Sequence, residues 1–221
     1  MNINKIIEQE YNKILDEDYP SSFDMEYFKT LGSFNKRIKY CEEHLKRIGG
    51  GSSRIVYKID DEKVLKLARN KKGLAQNEVE ISQGNDHYLI NSGIMAKVFD
   101  NHEKYLWVEM EYAQKLKKSD FESIIGIDFE FYSDFILNYW YSNNRKRGGS
   151  RFIKNYSEEE NEKMWENEFV SSILDYIANY DIIAGDLAKL STYGIVKRDG
   201  KDTVVIIDFG LTGDVYDDYY S

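Results

Sequence analysis

The sequence is poor in the residues that make crosslinks and rigid turns. Cys41 is its one cysteine, so an intrachain disulfide is excluded and a reducing cytoplasm is the expected location. Pro20 is the one proline, so helices and strands run without that interruption. No apolar run approaches the ~18 residues of a transmembrane helix, and the start, "MNINKIIEQEYNK", carries charges where a signal peptide has an apolar core. No segment repeats at a fixed period, which excludes a solenoid or propeller. Positive charge is also short: the net charge is −9, so nucleic acid is not an expected partner of the surface as a whole. What the chain has is apolar and aromatic mass. Hydrophobic residues make up 42% and tyrosines number 18, enough for a folded core in a chain of 221 residues.

Periodicity divides the chain. Ile3, Ile6, Ile7, Tyr11, Ile14 and Leu15 fall on one helical stripe ahead of Pro20. A second helix is expected over about 34–47 with Ser33 as its N-cap. After "GGGSS", the runs "RIVYKI" and "KVLKLA" read as a hairpin, "KGLAQNEVEISQ" as a short helix, and "IMAKVF" with "KYLWVEM" as a second hairpin. From about 119 to 180 the period is helical, with "DFEFYSDFILNYWY" and "SEEENEKMWENEFVSSILDYIANY" as the helices and Ser157 opening the second. "NNRKRGGSR" between them reads as an exposed loop. "YGIVKR" and "TVVIID" close the chain as a hairpin turning at Asp199-Gly200. The two halves meet near residue 112.

Six features carry candidate chemistry. "IGGGSSRIVYKI" puts small residues at a strand turn, where backbone N–H groups can approach phosphate oxygens. Lys66 stands in a strand among Val64, Leu65 and Leu67; it either snorkels to solvent or aims a cation at phosphates. Glu78 follows on a helix, with Glu80 nearby. "YLWVEMEYA" is a buried strand running into a polar segment whose backbone can read an adenine edge. Asp186 lies in the loop of "YDIIAGDLAKLSTYGIV", and Asp208 ends the strand "VVIIDFG". Each aspartate also reads as an ordinary turn former.

In this order the six features resemble the protein-kinase-like superfamily, over about residues 46 to 213. The resemblance implies an α+β, protein-kinase-like two-lobed fold. A helical extension over 1–45 would precede an antiparallel-sheet N-lobe over 46–113 and a reduced helical C-lobe over 114–221. It implies an ATP/Mg²⁺-dependent phosphotransferase. Gly49, Gly51, Ser52 and Ser53 would cover the phosphates, Lys66 would contact the α/β-phosphates and Glu78, preferred to Glu80, would pair with it. Met110 would border the adenine pocket, with Glu111, Tyr112 and Ala113 as the hinge. Asp186 would accept the proton of the attacking hydroxyl, and Asp208 with Ser191 would hold Mg²⁺. The combination "GSSRIVYKI…VLKLARNKKGLAQNEVE…GDL…VVIIDFGLT" is also similar to short kinase-like proteins of tailed bacteriophages, which implies a host cytoplasm.

The sequence departs from that pattern in four places. Arg54 occupies the third glycine position of the loop. Ala184 and Gly185 replace the histidine and arginine before the catalytic aspartate, so that "GDL" resembles aminoglycoside phosphotransferases and RIO-type atypical kinases. Ser191 replaces the metal-binding asparagine, and a hydroxyl is the weaker Mg²⁺ ligand. The residues after Asp208 are not expected to supply the family's Ala-Pro-Glu segment and the helices that follow it, so the acceptor, a protein or small-molecule hydroxyl, is expected to bind through the helices of 115–180 or through a partner. A pseudokinase or nucleotide-binding protein acting on a host or virion partner is the alternative. Two smaller expectations concern "NNRKRGGSR" as a nucleic-acid contact and the tail tyrosines Tyr216, Tyr219 and Tyr220 as phosphate acceptors in cis or packing residues. The N-terminal helices are expected to brace the strand lobe or to contact a partner.

Overall fold

A computed structural model describes residues 19–143 and 155–220. The expected helix over 3–16 and the basic loop with Arg145, Lys146, Arg147 and Arg151 lie outside the described residues. The architecture is α+β, built as two units: residues 1–77 with 99–112, and residues 78–98 with 113–221. The segment 78–98 therefore belongs with the C-terminal part of the chain.

The first unit has helices α1 (Met25–Thr30) and α2 (Phe34–His44) on a sheet of five strands, β1 (Lys46–Gly50), β2 (Arg54–Lys58), β3 (Lys63–Ala68), β4 (Val98–Asn101) and β5 (Trp107–Glu111). The strand order is β1-β2-β3-β5-β4, and the β1–β2, β2–β3 and β3–β5 pairs are antiparallel. Asp24 and Ser33 cap the helices by accepting from Tyr27 N–H and Lys36 N–H. Helix α2 ends at His44, earlier than the apolar spacing suggests, because Lys46 already pairs with Lys58 and Ile48 is an exposed strand residue.

Period-2 alternation splits the sheet. Ile55, Tyr57, Leu65, Leu67 and Trp107 share one hydrophobic cluster with Phe23, Met25, Phe28, Cys41 and Leu45. Tyr19 stacks on Phe23 at 4.6 Å and its hydroxyl donates to Glu109 at 2.6 Å. The described N-terminal helices thus brace the sheet. The opposite face carries Val56, Val64, Lys66, Val108 and Met110, the registers setting Lys66 between Val56 and Val108.

The second unit holds α4 (His87–Ser92), β6 (Gln114–Lys115), α5 (Lys118–Ile125), α6 (Phe129–Asn143), α7 (Glu158–Glu166), α8 (Glu168–Asn179), the single turn α9 (Ala184–Leu187), β7 (Tyr193–Arg198), β8 (Lys201–Ile206) and α10 (Gly213–Tyr219). Helix α3 (Lys71–Gly84) begins in the first unit and ends in the second. Ser157 and Glu160 form a capping box at α7. The single helix expected from Ser157 to Tyr180 is two helices, because Asn167 breaks it: its side chain accepts from Val170 N–H and donates to the Ile125 carbonyl. Strands β6, β7 and β8 form an antiparallel sheet. Its hairpin turns at Asp199 and Gly200, both in the left-handed region at φ 50° and 78°, the pair a type I′ turn requires. Among the described residues no helix is long and apolar enough to cross a membrane.

Candidate functional site

The aspartates of "GDL" and "DFG" sit on two segments of the second unit that run antiparallel and are fastened at both ends. At one end Ile207 N–H donates to the Thr192 carbonyl at 2.8 Å, extending the β7–β8 register in which Tyr193 faces Ile206. Ser191 lies just before that fastening, in the 3₁₀ turn Leu190–Thr192, and Asp208 follows Ile207 directly. At the other end Ile182 bridges Thr212, and Gly213 N–H donates to the Asp181 carbonyl at 2.8 Å. Between the fastenings, the chain from Ala184 to Ser191 bows out as α9 and a 3₁₀ turn, while Asp208, Phe209 and Gly210 cross directly. Asp186 and Asp208 both lie in this opened stretch. Asp208 and Ser191 are exposed; the Asp186 side chain is 31% exposed. Lys189 sits at 2.5 Å from Asp186 Oδ1.

Phe209 is buried, and its N–H donates to Glu80 Oε1 at 3.2 Å. Glu80 is fully buried in the second-unit half of α3, whereas Glu78 is exposed. The two are two positions apart, about 200° around the helix, so only one can face inward. The sequence-based preference for Glu78 therefore falls on the solvent side. The inward side of this helix is polar: it buries Gln76, Asn77, Glu80 and Gln83, at three- and four-residue spacing. Each has a partner. Gln76 accepts from the Ser53 hydroxyl at 2.6 Å, Asn77 donates to the Tyr105 carbonyl at 2.8 Å, and Gln83 accepts from the Tyr176 hydroxyl at 2.6 Å. That polar stripe was the signal available in the sequence.

In the first unit Lys66 is 4% exposed in mid-sheet and does not snorkel. The Gly-rich turn between β1 and β2 is held down: the carbonyls of Gly51, Ser52 and Ser53 accept from the Arg69 guanidinium, the Asn70 amide and the Arg69 N–H at 2.8, 2.9 and 2.8 Å. Ser53, expected to cover phosphates, is buried with its hydroxyl on Gln76. Arg54 is likewise buried, its guanidinium on Asn77 at 3.4 Å. The glycine the turn needs is Gly50, at φ 146°, where a Cβ would meet the Arg54 carbonyl at 2.9 Å. Gly49 pairs with Val56, and Gly51 has open space beside it. Met110 is fully buried opposite Val64, and Glu111 pairs with Lys63. The Tyr112 N–H, expected to serve an adenine edge, donates instead to the Glu62 carbonyl at 2.7 Å. In the second unit a Cβ on Gly194 would meet that of Ala113 at 2.5 Å, so glycine at 194 admits Ala113 against β7.

Asp208, Ser191 and Asp186 offer oxygen donors only, the chemistry that suits Mg²⁺, which takes one or two carboxylates and fills its shell with phosphate and water. Among the described residues no three His, Cys, Asp or Glu side chains group closely enough to cage an ion alone.

No family model and no curated protein matches the sequence. Among solved structures the chain is similar to the ternary complex of streptomycin, ATP and APH(2'')-IIa, at 13% identity and a TM-score of 0.34 over 82% of this chain and 72% of that one. It is also similar to the ADP-bound aminoglycoside phosphotransferase APH(2'')-Ib, at 14% identity and 0.31 over 80% and 69%. The gentamicin complex of APH(2'')-IIa gives 14% and 0.33 over 86% and 71%. At these TM-scores no residue role passes from those proteins to this chain.

Proposed function

We propose that the chain is an atypical phosphotransferase of the kinase-like fold, moving the γ-phosphoryl group of ATP to a hydroxyl acceptor. The observation that carries this reading is the pair of fastened segments that holds Asp186 and Asp208 in one opened stretch of chain, with Phe209 tied to Glu80. Phosphoryl transfer asks a protein to position groups and to neutralise spread negative charge. Asp208 and Ser191 would hold Mg²⁺, which when bound neutralises phosphate charge. Asp186 would orient the acceptor hydroxyl and take its proton as the acceptor oxygen bonds to the γ-phosphorus and ADP departs with the bridging oxygen. Lys66, buried in the first unit's sheet, keeps its proposed role at the α/β-phosphates because phosphoryl transfer calls for a cation there. Glu80, rather than Glu78, is the carboxylate assigned to support this machinery.

One observation favours binding without transfer. The Asp186 carboxylate is engaged by Lys189 at 2.5 Å, which would have to yield for an acceptor hydroxyl to reach that oxygen. Incubation with γ-labelled ATP and Mg²⁺ separates the readings. Transfer predicts labelled product or free phosphate that disappears in Asp186→Ala while Mg-ATP binding persists. Binding with no turnover in the wild type refutes transfer.

A further inference from the structure

Three successive carbonyls of the Asp186 turn each accept a hydrogen bond from a side-chain hydroxyl. Thr192 Oγ1 donates to the Asp186 carbonyl at 2.7 Å, Tyr193 Oη to Leu187 at 2.7 Å, and Ser133 Oγ, from α6, to Ala188 at 3.0 Å. Behind them Tyr132 Oη lies 2.6 Å from Tyr193 Oη, and both rings are buried. A carbonyl can only accept, so the Tyr193 proton points at Leu187, and Tyr132 must donate to the Tyr193 oxygen. The relay runs from Tyr132 through Tyr193 to the backbone one residue after Asp186.

We infer that Tyr193, backed by Tyr132, is a positioning residue that ties the Asp186 turn to the strand leading to Asp208. Its backbone faces Ile206, two residues before Asp208, while its hydroxyl holds Leu187, one residue after Asp186. A rigid ring thereby contributes to the spacing between the two aspartates. Thr192 gives a shorter tie, its hydroxyl on the Asp186 carbonyl and its own carbonyl on Ile207 N–H, and Ser133 holds the turn from α6; Tyr193 adds the tie that reaches from β7 to Leu187 through a buried ring. The inference rests on the proposed transferase reading for its catalytic consequence and on the geometry alone for its mechanical one.

The test compares wild type, Tyr193→Phe and Tyr132→Phe by hydrogen exchange and by kinetics. Loss of the Tyr193 hydroxyl is expected to speed exchange of the Asp186, Ala188 and Lys189 amides, which bond within the turn, roughly tenfold to a hundredfold. Exchange in α8 should stay unchanged. Turnover should fall about tenfold to a hundredfold with Mg-ATP affinity preserved, a split that general destabilisation would not give. Tyr132→Phe keeps the Leu187 bond and should give smaller changes of the same kind. Unchanged exchange in Tyr193→Phe overturns the inference; so does faster exchange with unchanged turnover. If Tyr193→Phe does not fold, Tyr132→Phe decides alone, and no change in either readout overturns the relay. A wild type that neither binds nor turns over Mg-ATP refutes the transferase reading and the catalytic role together, and the exchange data then leave Tyr193 a purely mechanical tie.

Discussion

Replacing Glu80 with alanine tests the most consequential difference between sequence and structure. Glu80 accepts the N–H of Phe209, and both residues are buried. Removing the carboxylate strands that N–H away from water. Leaving a buried donor without its acceptor costs about 1–3 kcal/mol, a floor here because Glu80 makes other interactions too. For a chain of this size that corresponds to a fall in Tm of about 2–12 °C. Glu78 is exposed, so Glu78→Ala should shift stability by less than about 0.5 kcal/mol. Glu80→Gln retains an acceptor oxygen and should fall between the two. Denaturant unfolding of the three variants, followed by Mg²⁺-dependent nucleotide binding, provides the measurement. The order Ala at 80, Gln at 80, Ala at 78 is expected for both readouts, since Phe209 follows Asp208 directly. Equal or greater damage from Glu78→Ala would refute the reasoning.

Gly73→Ala would place a Cβ 2.3 Å from the Ser53 carbonyl and 3.0 Å from Ala68 Cα, both backbone atoms that cannot swing aside. A loss of about 1–3 kcal/mol in denaturant unfolding is expected, against little change for Gly51→Ala, where the space is open. Burial pushes the Cys41 thiol up to about 12, so alkylation at pH 8 should be slow in the folded protein and fast in urea. The folded pKa lies above the unfolded one, so the stability linked to this thiol is fully present below about pH 8.5 and is lost as pH rises toward 12. Alkylation at equal rates with and without urea would contradict this burial.

Much of the fold is legible because the signals are local. Asp199-Gly200, Ser33 and Ser157 announce a turn and two helix starts through chemistry confined to a few residues. The alternating run around Lys66 places it on a strand, and the run before Asp208 marks β8, which ends at Ile206, two residues short of the aspartate expected to close it. What was not legible depends on partners distant in sequence. Whether Lys66 snorkels depends on what covers its face, which the strand pattern does not state. Glu78 and Glu80 differ only in their side of the helix, and the inward side here is polar because Ser53, Arg54, Phe209 and Tyr176 bring partners to it. Gly50 gives no cue beside Gly49 and Gly51 until its φ is known. The roles of Thr192 and Tyr193 rest on carbonyls of the preceding turn, and hydroxyl residues after "GDL" carry no distinctive spacing.

The most direct test of the account is a calorimetric titration of Mg-ATP into wild type, Asp186→Ala and Asp208→Ala. Wild type and Asp186→Ala are predicted to bind alike, because Asp186 serves the acceptor. Asp208→Ala is predicted to lose the Mg²⁺-dependent part of the affinity. At nucleotide 100-fold above the dissociation constant, the same difference appears as about 2.7 kcal/mol of ligand-linked stability present in the first two and missing in the third. Binding that is absent from the wild type, or equal in Asp208→Ala with and without Mg²⁺, would contradict it.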